Sequence, residues 1–141
     1  MNFFNSVIVI VMKNKTQLIQ DIGTHVLSAS YLTNAQWRSL SLVIDIGREE
    51  YAENALLYLD NETKHFFVDD NSELEGLLDD LCDIIKAEVN LAAVQSLIQV
   101  NSDDKKVKLN FEFYNKELWS ITPENISQKI IELRLKEDEA Q

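Results

Sequence analysis

Side chains able to perform acid–base, nucleophilic or metal chemistry are few in this sequence. It holds two histidines, His25 and His65, and one cysteine, Cys82. Neither histidine stands near a serine or cysteine in a recognised nucleophile setting. The sequence has no glycine-rich phosphate loop, no HExxH pattern and no cysteine pair for zinc. We therefore expect no catalytic residues, no cofactor site and no metal site, and we expect Cys82 to be a packing residue.

Carboxylates are the abundant reactive group. Asp79, Asp80 and Asp83 match the DDxxD pattern that binds magnesium in isoprenoid synthases. Those enzymes are much larger and all-helical, and they place a second acidic motif across a deep cavity. A small hydrolase that uses these carboxylates with a divalent metal is therefore a weak alternative function.

The net charge of −11 comes from 24 acidic and 13 basic residues. Residues 45–88 alone hold fourteen acidic and three basic side chains, a difference that equals the whole net charge. This balance argues against binding nucleic acid through its phosphates, which needs clustered lysine and arginine, and against docking on an anionic membrane. The surplus is concentrated, whereas a charge that serves only solubility is more often scattered.

The acidic residues form a same-sign ladder on a predicted helix. Glu75, Asp79 and Asp83 stand four residues apart, and each such pair costs about 0.2 to 0.5 kcal/mol. The pattern fits either a solvated helix face or a docking surface whose repulsion a basic partner relieves. The predicted partner-binding residues are Glu75, Asp79, Asp80 and Asp83, followed by Glu49, Glu50 and Glu53.

Hydrophobic periodicity predicts an α+β domain with an antiparallel sheet of about five strands and helices packed on it. Helical periods cover residues 16–30, with Thr16 as the N-cap, residues 72–89, and a closing helix after Pro123. Alternating apolar residues predict strands at 37–46, 51–59, 64–69, 94–100 and 107–113. The predicted order is α-β-β-β-α-β-β-α, and strand 37–46 is expected to be half-buried.

The chain length predicts one domain over residues 13–135, followed by a polar tail at 136–141. Residues 1–12 form an apolar extension that is open to two interpretations. They are either a buried strand or residues from an upstream start, with Met12 as the natural start. A secretory signal fits poorly because no basic residue precedes the apolar run. The single cysteine excludes an internal disulfide and favours a reducing, cytoplasmic compartment.

The order of elements and several aromatic landmarks resemble the YezG-type immunity proteins and related small acidic antidotes of bacterial polymorphic-toxin and contact-dependent inhibition systems. The landmarks are Trp37 at the start of a strand, Tyr51 and Tyr58 on the next, the acidic helix after Phe66 and Phe67, the strand Phe111-Glu112-Phe113-Tyr114, and Leu118-Trp119 before the proline-opened helix. The resemblance covers residues 13–135, and the apolar segment before them departs from it.

This resemblance implies a cytoplasmic bacterial protein that binds one cognate toxin domain, commonly a nuclease, and blocks it stoichiometrically. It implies no catalytic residues. An acidic protein could occupy the basic surface with which a nuclease holds phosphates, or it could bind beside that surface. The other interpretation from the same broad class is an acidic adaptor or DNA mimic for a housekeeping protein. The oligomeric state is left open.

Overall fold

The computed structural model describes residues 14–32, 36–46, 52–68 and 72–136. The described helices are α1 (Lys15–Leu27), α2 (Ser72–Val89) and α3 (Ile126–Glu132), and a short 3₁₀ turn spans Ser30–Leu32. The strands are β1 (Trp37–Asp45), β2 (Ala52–Leu59), β3 (Thr63–Phe67), β4 (Gln95–Asn101) and β5 (Val107–Glu112). The predicted fold class and element order are confirmed. The apolar extension and most of the polar tail lie outside the described residues.

The five strands form one antiparallel sheet in the order β3-β2-β1-β4-β5. Strand β1 lies at its centre, where Leu42 is aligned with Ala55 of β2 and with Ile98 of β4. The sheet therefore consists of a β1-β2-β3 meander and a β4-β5 hairpin, as the short connections require.

Helices α1 and α2 pack antiparallel to each other on one face of the sheet. Lys15 at the start of α1 pairs with Glu88 at the end of α2 over 3.1 Å, and His25 lies 3.6 Å from Glu73 at the opposite end. The two helices and the sheet share one core cluster, which includes Ile22 of α1. The cap of α1 differs from the prediction: the side chain of Asn14, not that of Thr16, accepts a hydrogen bond from the Gln17 amide at 2.8 Å.

The C-terminal part of the chain covers the second face of the sheet. A second core cluster lies on this face, and its buried residues come from the sheet and the end of α3: Val43, Leu56, Tyr58, Leu97 and Leu133. The partly buried side chains that pack against it come from the C-terminal segment: Trp119, Ile121 and Ile130. The prediction that β1 is half-buried is therefore wrong. Ser39 and Ser41 are buried although their alternation with leucines suggested a solvated face.

Polar side chains of the sheet hold α3 in place by binding its terminal carbonyl groups. Ser41 Oγ and Gln99 Nε2 both donate to the Leu133 carbonyl, the latter at 2.9 Å, and Tyr58 Oη donates to the Ile130 carbonyl at 2.7 Å. The last carbonyls of a helix lack partners within it, so the sheet supplies them. Neither α1, α2 nor α3 is long and apolar enough to cross a membrane.

Candidate partner-binding surface

Helix α2 carries the predicted partner-binding residues, and its packing determines which of them reach solvent. Its buried residues are Leu74, Leu78 and Leu81, which lie against the sheet. At 100° per residue, Asp79 and Asp83 lie roughly 140° and 180° around the helix from Leu74. The spacing of the leucines thus directs these two carboxylates away from the core.

The structure places the four predicted partner-binding residues of α2 in two different environments. Asp79, Asp80 and Asp83 are exposed, and we call these three residues the acidic face. Glu75 is half-buried at the flank of the helix, roughly 100° from Leu74, so it borders the acidic face. The acidic face is the exposed part of the predicted set on α2.

The prediction that Glu53 belongs to a binding surface is wrong, because this side chain is only 5% exposed. It lies on the side of β2 that faces the helices and lines a cavity with His25 and Tyr31. Burial, and then the nearby charge of Glu53, raises the pKa of Tyr31 to about 12. The other two residues of the second set, Glu49 and Glu50, lie outside the described residues.

Cys82 lies half-buried between the core and the acidic face. Burial, and then the nearby charges of Asp79 and Asp83, raise the pKa of its thiol to about 11. Because the thiolate is the nucleophilic form, a thiol with this pKa is unreactive near neutral pH. The contact with the core confirms that Cys82 is a packing residue.

The two histidines have structural partners. His25 Nδ1 lies near Glu73, and His65 Nε2 lies 3.0 Å from Asn54 Oδ1, with its ring 5.4 Å from that of Phe67. Within the described ranges, no group of three or more histidine, cysteine, aspartate or glutamate side chains could hold a metal ion.

A second charged feature lies elsewhere and was not predicted from the sequence. Arg38, Arg134 and Lys136 line a groove at the end of the sheet where β1 begins, and we call it the basic groove. The residues come together because the chain after α3 returns to the start of β1. Arg38 and Arg134 are far apart in the sequence, so no local pattern signalled their proximity.

No protein-family model matches the chain, and no curated protein matches its sequence. The function is therefore inferred from the surface chemistry and from the resemblance described above.

Proposed function

We propose that this protein is a bacterial immunity protein that binds a basic toxin domain, most simply a nuclease, and neutralises it. The observation that carries the proposal is the acidic face, where three exposed aspartates occupy just over one turn of α2. The resemblance of the sequence to small acidic immunity proteins supports the same function. We further propose that the protein acts in the cytoplasm, where a toxin nuclease would meet its substrate.

The arrangement of charges favours a docking role over simple solvation. Like charges four residues apart destabilise a helix, and Asp79 and Asp83 form such a pair in the middle of α2. A cationic partner would convert this repulsion into attraction, and it would also be steered towards the face before contact. Nuclease surfaces provide such cations because they hold phosphate groups.

The proposal assigns no catalytic step to this protein. Its role is to cover the phosphate-binding surface of the toxin or to bind beside it, so one copy of the protein would inactivate one copy of the toxin. The thiol of Cys82, with its raised pKa, and the hydrogen-bonded ring of His65 are consistent with this non-enzymatic role.

The first test is a growth-rescue experiment. An immunity gene should lie directly downstream of a large toxin gene, so the toxin domain encoded there is expressed with and without this protein. We expect growth only when both are present. Continued toxicity with folded protein in the cell would contradict the proposal.

The second test locates the interface by charge reversal. Asp79→Lys combined with Asp83→Lys should weaken the toxin complex by about 100-fold or more, since juxtaposed like charges cost several kcal/mol. The matched control reverses two exposed glutamates on the opposite side of the sheet, Glu117→Lys with Glu124→Lys. Equal affinities for the two double variants, measured by calorimetry, would show that the acidic face is not the interface.

A further inference from the structure

The basic groove has the dimensions of a small-molecule site. Its volume is about 650 Å³, within the range of roughly 300 to 1,000 Å³ that is usual for ligand pockets. Its walls come from the first residues of β1, the last residues of β2 and β4, and the chain at the end of α3. Four separate segments of the domain therefore meet there.

The charge of the groove is opposite to that of the protein. Three cations, Arg38, Arg134 and Lys136, line it together with one carboxylate, that of Asp60. The neutral polar residues of the lining are Ser39, Tyr58 and Asn101. These groups leave a local excess of two positive charges in a chain whose net charge is −11. The positive charge of the groove therefore favours a negatively charged ligand.

Both guanidinium groups are held by neighbouring side chains. The Cζ atom of Arg134 lies 4.8 Å from the centre of the Tyr58 ring, in the geometry of a cation–π contact. Tyr58 is itself buried and fixed by its hydrogen bond to the Ile130 carbonyl. Arg38 donates through Nε to Asp60. Side chains held in this way lose less conformational freedom when they bind a ligand.

One edge of the groove is apolar. Ile131 is 76% exposed there, and Leu135 is half-buried beside it. We propose that the basic groove binds a small organic anion, a carboxylate or phosphate carried on an apolar body. The anionic group lies between Arg38, Arg134 and Lys136, and the apolar body lies on Ile131. This site is separate from the acidic face and does not depend on the proposed function.

The test is an NMR titration of the ¹⁵N-labelled full chain with hexanoate and with hexyl phosphate. Hexanol and hexylammonium are the neutral and cationic probes of the same chain length. We expect the backbone amides of Ser39, Asn101 and Ile131 to shift saturably with the two anions only, and binding to weaken as salt is raised. The stronger of the two anions identifies the preferred headgroup. Equal shifts with hexanol, or no saturable shift with either anion, would overturn the proposal.

Substitutions then assign the binding to the groove. Arg134→Gln should weaken the preferred anion about tenfold or more, because a hydrogen bond to a charged group is lost, whereas Arg134→Lys should weaken it less. Lys86→Gln on α2 is the matched control, since it removes the same charge from a distant exposed position, and it should change affinity by less than about twofold. Equal weakening by Arg134→Gln and Lys86→Gln would refute the site. Toxin neutralisation should be unaffected by Arg134→Gln, so this proposal and the proposed function can fail separately.

Discussion

Asp79 stands four residues after Glu75 and four residues before Asp83 on α2, so two like charges are its neighbours along the helix. Each such pair costs about 0.2 to 0.5 kcal/mol. Asp79 lies beyond the first turn of α2, where the helix dipole no longer favours a negative charge. Asparagine has nearly the same helix propensity as aspartate. Asp79→Asn should therefore raise the free energy of unfolding by about 0.4 to 1 kcal/mol at low salt.

Urea denaturation measures this gain without adding ions, and repeating it in about 1 M salt should reduce the gain because the charges are screened. Asp80→Asn is the graded control: it has one like-charge neighbour at such spacing, Asp83, so its gain should be about half. The pKa of the Cys82 thiol should also fall below about 11 in Asp79→Asn, because the negative charge of Asp79 contributes to the raised value. A loss of stability, or a gain that high salt leaves unchanged, would refute the reasoning.

Three further predictions concern the core and its ionisable groups. Leu78 is fully buried between α2 and the sheet, so Leu78→Ala should lower the free energy of unfolding in urea by about 2 to 5 kcal/mol; a loss below about 1 kcal/mol would contradict this packing. Tyr58→Phe removes the donor to the Ile130 carbonyl and should cost about 1 to 3 kcal/mol, seen as a lower Tm in calorimetry, whereas an unchanged Tm would mean that the hydrogen bond contributes nothing. Burial raises the pKa of the Cys82 thiol from 9.0 to about 11, so the contribution of the neutral thiol to the free energy of unfolding is complete below pH 9 and is lost as pH rises through 11. Cys82→Ala should therefore flatten the dependence of the free energy of unfolding on pH over this interval. A dependence as steep as that of the unmodified protein would contradict the raised pKa of Cys82.

The order of elements could be predicted because it depends on local patterns. The alternation of Leu40, Leu42 and Ile44 with polar residues has the period of a strand, and Leu74, Leu78 and Leu81 have the period of a helix. The connections within the meander are too short for crossovers, so the sequence also predicts that its strands are antiparallel. These properties involve residues that are close in sequence.

The features that the sequence did not predict depend on contacts between distant segments. The alternation in β1 predicts that Ser41 is solvated, yet the C-terminal segment covers it, and its buried hydroxyl donates to the carbonyl of Leu133. Glu53 reads as part of an acidic surface, yet the face of β2 that carries it lies beneath α1. A serine or glutamate leaves solvent only when another segment covers it, and local spacing carries no information about that segment.

The acidic face and the basic groove show that the net charge is unevenly distributed over the folded protein. Residues outside the acidic stretch carry equal numbers of acidic and basic side chains, which suggests a neutral scaffold. Folding instead gathers two arginines and a lysine from that remainder at one end of the sheet, on the face covered by α3, whereas α2 lies on the other face. The described residues therefore place an acidic face and a basic groove on opposite sides of the sheet. A cationic partner of the kind proposed would be attracted to the α2 side and repelled from the groove, so these two surfaces would favour one orientation of the approaching partner.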